Sequence, residues 1–89
     1  MPQITATITN AVGLHARPAS IFVETAKRYA SDITVQFGDR VADAKSIISV
    51  LVLGVVAQST IVISAEGEDA DQALAELGQL ISDQFGEPA

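Results

Sequence analysis

His15 and Arg17 stand two residues apart, and Pro18 follows directly. They lie in the run Gly13-Leu14-His15-Ala16-Arg17-Pro18-Ala19-Ser20, and His15 is the chain's one histidine. An imidazole exchanges its charge near neutral pH and can take up and release a group there. A guanidinium matches phosphate oxygens in a planar fork. No second catalytic base lies nearby in sequence. The pair therefore suits holding a charged group on the ring better than cutting a bond in a bound substrate. A lone histidine is most often a solvated surface residue or a cap, so the case for chemistry depends on what positions it.

The positioning element is a helix that starts just after the histidine. Apolar residues recur at Ala19, Phe22, Val23, Ala26 and Ala30, which predicts a helix from Ala16 to about Ala30. Pro18 fits its first turn, where the missing N–H has no intrahelical partner. Up to four backbone N–H groups are orphaned at such a start, and with the helix dipole they favour an anion. The same field disfavours the imidazolium and keeps a neutral, nucleophilic ring at pH 7. Once phosphorylated, the ring would carry a dianion that the helix start and Arg17 both stabilise.

The remaining elements follow from periodicity. Residues 3–9 alternate, with Ile4, Ala6 and Ile8 facing a core and three threonines facing out. Residues 32–37 alternate again, Gly38-Asp39 turns, and 40–43 return as a hairpin strand. Ser46 reads as an N-cap for a short helix over 47–53 that stops at Gly54. The β-branched content there argues for a buried strand instead; the serine and glycine at either end favour the helix. Residues 60–66 form the clearest later strand. Asp69 with Gln72 predicts a capping pair for a last helix, whose buried face is Ala70, Ala73, Leu74, Leu77, Ile81 and Phe85. A frayed tail is expected after Phe85-Gly86. The order β-α-β-β-α-β-α predicts an α+β fold: one small sheet with helices on one face, in a split βαβ arrangement.

Composition narrows the function classes. A chain of 89 residues is expected to form one domain, 1–89. With no cysteine, disulfides, thiolate metal sites and a cysteine nucleophile are excluded. A net charge of −6, with 5 basic residues, argues against a nucleic-acid surface and against anionic membranes. The most apolar stretch, 47–57, is far too short to span a bilayer, and the first residues do not read as a signal peptide. A soluble, cytoplasmic monomer is expected. The carboxylates Glu66, Glu68, Asp69 and Asp71 lack an ordered metal-loop pattern and read as a solvated turn; no metal and no cofactor are expected.

The segment from Gly13 to Ala19 resembles the active-site signature of HPr, the histidine-containing phosphocarrier family of the bacterial phosphoenolpyruvate:sugar phosphotransferase system. Lys45-Ser46-Ile47 with Leu53-Gly54, and Ile63-Ser64-Ala65-Glu66-Gly67-Glu68-Asp69, resemble two further blocks of that family in the same order. The resemblance implies an open-faced β-sandwich, four antiparallel strands with three helices on one face. It implies that His15 takes a phosphoryl group on Nδ1 from enzyme I and passes it to an enzyme IIA domain, with Arg17 as the matching arginine. On this reading the chain is a carrier regenerated by its partners, not a stand-alone catalyst. The family also implies regulatory phosphorylation of Ser46 by HPr kinase/phosphorylase in many lineages, with a transcriptional regulator as a further partner. A plain N-cap is the alternative for that serine. The resemblance implies a docking patch for enzyme I and enzyme IIA on the first two helices, assigned here to Ala16, Ser20, Ile47, Ile48 and Leu51.

Glu24 and Ser49 depart from relatives that carry basic residues there, and the turn at Ala57-Gln58-Ser59 lacks a glycine often found in it. Two rivals stand beside the sugar-uptake carrier: the nitrogen-regulatory branch of the family, and a regulatory binding module whose histidine is idle. Arg17-Pro18 favours the sugar branch over the first. The joint presence of His15 and Arg17 argues against the second.

Overall fold

The computed structural model describes residues 2–9, 13–14 and 16–86. His15 and the tail at 87–89, expected to fray, lie outside the described residues. Seven elements follow in the predicted order: β1 (Gln3–Thr7), α1 (Ala16–Ala26), β2 (Asp32–Phe37), β3 (Arg40–Asp43), α2 (Ile47–Val52), β4 (Thr60–Glu66) and α3 (Ala70–Ser82).

The strands form one sheet in the order β1-β4-β2-β3, and every neighbouring pair is antiparallel. It follows that β1 and β2 run the same way with β4 between them, which is how the split βαβ unit is realised. Period-2 alternation decides which face is buried. Ile33, Val35, Ala42, Ile61, Ile63 and Ala65 are buried, while Thr34, Gln36, Val41 and Asp43 face solvent on the uncovered side. The three helices cover the other face, giving the open-faced sandwich expected from the resemblance.

Each helix is cut by a local cause. The helical winding of α1 ends at Ala26, four residues earlier than its apolar spacing predicts. From there Arg28 and Tyr29 donate to the carbonyls of Thr25 and Ala26, so the chain tightens into turns, and Ala30 is exposed instead of buried. On α2, the Ser49 N–H donates to Ser46 Oγ at 3.3 Å, so Ser46 is an N-cap. Gly54, with φ of +69°, then ends the helix in the left-handed region. On α3, Gly78 permits close approach to β1, since a Cβ there would lie 3.2 Å from Ile4 Cδ1.

The predicted Asp69–Gln72 cap does not form. Asp69 makes no side-chain bond to its own helix and turns back to the end of α1. Its carboxylate accepts from the Ala30 N–H at 2.8 Å, the Ser31 N–H at 2.9 Å, and the Ser31 hydroxyl. Ser31 is buried, and leaving its donors unpaired would cost more than leaving exposed N–H groups to water. Gly67 makes room for this contact: a Cβ on it would sit 2.5 Å from Ser31 Oγ and 2.8 Å from Ser31 Cα.

These bonds, the one from the Ser31 hydroxyl foremost, hold the Asp69 carboxyl below its ordinary pKa. A carboxylate with a lowered folded pKa stabilises fully above its unfolded pKa, and that contribution is lost as pH falls through the folded value. Stability is therefore expected to fall in acid, below the normal carboxylate range, and Asp69→Asn is expected to flatten that slope. Urea midpoints measured from pH 6 down to pH 2 check this; parallel profiles for the two proteins would refute it.

After α3 the chain makes a left-handed turn. Gln84, Phe85 and Gly86 have φ of +56°, +57° and +75°. A left-handed conformation costs a non-glycine residue roughly 1–2 kcal/mol. Gln84 and Phe85 together therefore cost roughly 2–4 kcal/mol, and burial of the Phe85 ring, worth about 1.5–3 kcal/mol, offsets most of it.

Gln58 is also left-handed, with φ of +70°, in the turn 57–59, which holds no glycine. Its N–H donates to the Ile8 carbonyl at 2.6 Å, so the surrounding bonds hold it there. Gln58→Gly is expected to raise stability by about 0.5–1 kcal/mol, the left-handed penalty less glycine's extra unfolded-state entropy. Urea denaturation measures it, and a loss of stability would contradict the assignment of strain.

Candidate functional site: the start of α1

Two anchors place the segment that leads into α1. The Leu14 N–H donates to the Val55 carbonyl at 2.9 Å, and the Leu14 side chain is buried. Gly13, with φ of +72°, lies so close to the chain after α2 that a Cβ would meet Val55 O at 2.5 Å and the Val56 backbone at 2.7 Å. The approach to α1 is thereby packed on the exit from α2. Upstream, the Ile8 N–H donates to the Ser59 carbonyl at 2.8 Å, so β1 leaves the sheet tied to the same connection.

Helix α1 begins at Ala16 and has no acidic residue in its first turn. Pro18 and Ala19 are buried, while Ala16, Arg17 and Ser20 are exposed. Among the described residues Arg17 makes no ion pair, so its guanidinium is available to an anion at the helix start. Further along, Glu24 on the helix and Lys27 just beyond its end are exposed. All 5 basic residues of the chain fall between positions 17 and 45.

The residues assigned to docking divide in their exposure. Ile48 on α2 is 67% exposed; Ile47, Leu51 and Ser46 are half-buried; Val50 is buried. Sequence reasoning did not single out Val52 and Val56, which are 68% and 61% exposed. The signal was available for Val52: it is four residues beyond Ile48, and so on the same side of a helix, opposite Val50. Lys45, beside the serine, donates from Nζ to the Tyr29 carbonyl at 2.7 Å and so joins the start of α2 to the end of α1. A depression of about 350 Å³ lined by Phe37, Asp39, Arg40 and Leu53 shares no residue with the α1 start.

The described residues thus form a small antiparallel sheet backed by helices, with the histidine–arginine sequence motif at the start of α1. Residues 2–83 match the family model described as PTS HPr component phosphorylation site. The chain is 39% identical to phosphocarrier protein HPr of Mycoplasma capricolum subsp. capricolum over 93% of both chains. It is 41% identical to phosphocarrier protein HPr of Buchnera aphidicola subsp. Schizaphis graminum over 80% of this chain and 84% of that one. The solved structure of HPr-C-His from Thermoanaerobacter tengcongensis superposes with a TM-score of 0.97 at 42% identity, covering 100% of both chains. This chain belongs to the HPr family of the phosphotransferase system.

Proposed function

We propose that this protein, as one domain, carries a phosphoryl group on His15 from phosphorylated enzyme I to enzyme IIA domains in sugar uptake. The observation that carries the reading is the run Gly13 to Pro18, set at the start of a helix whose first turn is free of carboxylates. In the transfer, Nδ1 of His15 attacks the phosphorus of phosphorylated enzyme I. The new N–P bond forms as the donor's breaks, and the reverse exchange at enzyme IIA restores the free imidazole. Orphaned N–H groups and Arg17 offset the charge on the transferring oxygens. The site needs no metal or cofactor for this exchange between two nucleophiles.

The exposed apolar side chain of Ile48, with Ile47, Leu51, Ala16 and Ser20, supports a docking patch shared by donor and acceptor. Ser46 is its switch in this reading. Phosphorylation by an HPr kinase/phosphorylase would add a dianion at the N-cap, which the helix tolerates and an acidic partner surface does not. The protein acts as a cytoplasmic monomer. Among the described residues, no helix is long and apolar enough to cross a membrane.

The test is incubation with phosphoenolpyruvate and catalytic enzyme I, which should place an acid-labile phosphoryl group on the chain. ATP with an HPr kinase should instead give an acid-stable product that Ser46→Ala abolishes. A chain that takes no label from enzyme I overturns the carrier reading.

A further inference from the structure

Helix α2 carries much of the proposed docking patch, yet its own hold on the core is slight. It is 6 residues long, and Val50 is its one buried residue. A helix this short is not stable alone, so its pose is set by what grips its ends. At the exit the grip is backbone: the Leu14 N–H donates to the Val55 carbonyl. At the start there are two kinds of grip. The Ala44 N–H donates to the Ile33 carbonyl at 3.0 Å and the Ser46 N–H to the Asp43 carbonyl at 3.1 Å, which ties α2 to the sheet. Lys45 ties it to α1, since its Nζ donates to the Tyr29 carbonyl at 2.7 Å, in the turn that ends α1. Among the described residues this is the one side-chain hydrogen bond joining the start of α2 to the end of α1, and Lys45 makes no ion pair. Tyr29 is itself braced on α3, because its hydroxyl donates to Glu76.

We infer that Lys45 is a positioning residue for docking: by fastening the start of α2 to the end of α1, it sets how the two helices of the docking patch stand to one another. The inference rests on the carrier reading and its patch. Ala16 and Ser20 lie on α1, and Ile47, Ile48 and Leu51 lie on α2, so a partner meets both helices at once. The bonds to the sheet fix where α2 begins and leave its tilt against α1 open. The ammonium closes that freedom. It is half-buried, its bond is charge-assisted, and letting go would leave it poorly solvated. Lys45 acts before the partner arrives, so its removal should weaken binding of enzyme I and leave the chemical step alone.

The experiment follows phosphoryl transfer from phosphoenolpyruvate through enzyme I to the full chain, with kcat and KM for the chain resolved. Lys45→Met is expected to raise KM roughly three- to tenfold with kcat unchanged, the scale of one hydrogen bond's net contribution. Methionine keeps the length and apolar stem of lysine, so the variant should fold, and Lys45→Gln gives a second removal of the ammonium. Lys45→Arg, which still donates to a carbonyl, should restore most of the affinity. In an Ile48→Ala background Lys45→Met should raise KM by less than it does alone, because both changes act through the pose and contact of α2. The ratio of variant to wild-type KM should also persist at high salt, since a half-buried tie is screened little.

Wild-type KM in Lys45→Met and Lys45→Gln, a fall in kcat in place of the rise in KM, or effects of Lys45→Met and Ile48→Ala that simply multiply would each overturn the inference while leaving the carrier reading intact. So would a KM ratio that vanishes at high salt, which would make Lys45 a charge that enzyme I meets directly. A wild-type chain that accepts no label overturns the carrier reading and this inference with it.

Discussion

His15→Ala is expected to abolish phosphoryl transfer outright. With phosphoenolpyruvate and enzyme I, the wild-type chain should carry one acid-labile phosphoryl group and the variant none. No second histidine is present, and the chain has no cysteine to substitute as a nucleophile. Circular dichroism of the variant and the acid lability of the wild-type label complete the measurement. A variant labelled at the wild-type rate would remove the carrier assignment.

Gly13→Ala is expected to be the most damaging conservative substitution in the chain. The methyl group would fall 2.5 Å from a backbone oxygen and 2.7 Å from two backbone carbons, and backbone cannot rotate away. The left-handed φ adds roughly 1–2 kcal/mol, and overpacking adds about 1–3 kcal/mol. A loss of about 2–5 kcal/mol is therefore expected, from a total of roughly 5–15 kcal/mol for a protein of ordinary stability. The displaced segment also carries the histidine, so transfer should slow even at temperatures where the variant is fully folded. Urea denaturation and the labelling rate separate the two effects. A variant with unchanged urea midpoint would contradict the close approach of Gly13 to Val55 and Val56.

The strands and helices were legible because each element carries its own period. Ile33 and Val35 alternate, and Ala70, Ala73, Leu74 and Leu77 repeat at helical spacing, so burial could be read locally. The short α2 was legible through its ends, Ser46 and Gly54, although its β-branched composition argued for a strand. What the sequence concealed were choices between partners distant along the chain. Asp69 looks like a cap for its own helix, but it serves buried Ser31, 38 residues away. Phe85 fits the helical stripe of α3, yet it reaches the core through a left-handed turn that periodicity cannot announce. At the candidate site, the histidine–arginine motif and helix start were readable from residue types alone. The packing of Gly13 on Val55 was not, because a glycine reports only that space or φ is needed and not which chain fills it.

The sheet order has a consequence for how this chain is made. Strand β4 is the last strand in sequence, yet it occupies the middle of the sheet and pairs with both β1 and β2. During synthesis the first two-thirds of the chain can form only the β2–β3 hairpin and isolated helices. Strand β1 has no partner until residues 60–66 emerge. A nascent chain stopped short of β4 therefore exposes apolar strand faces and open edges, the state that invites wrong pairing and chaperone capture. The four-stranded sheet can therefore close only once its final strand is available, around β4.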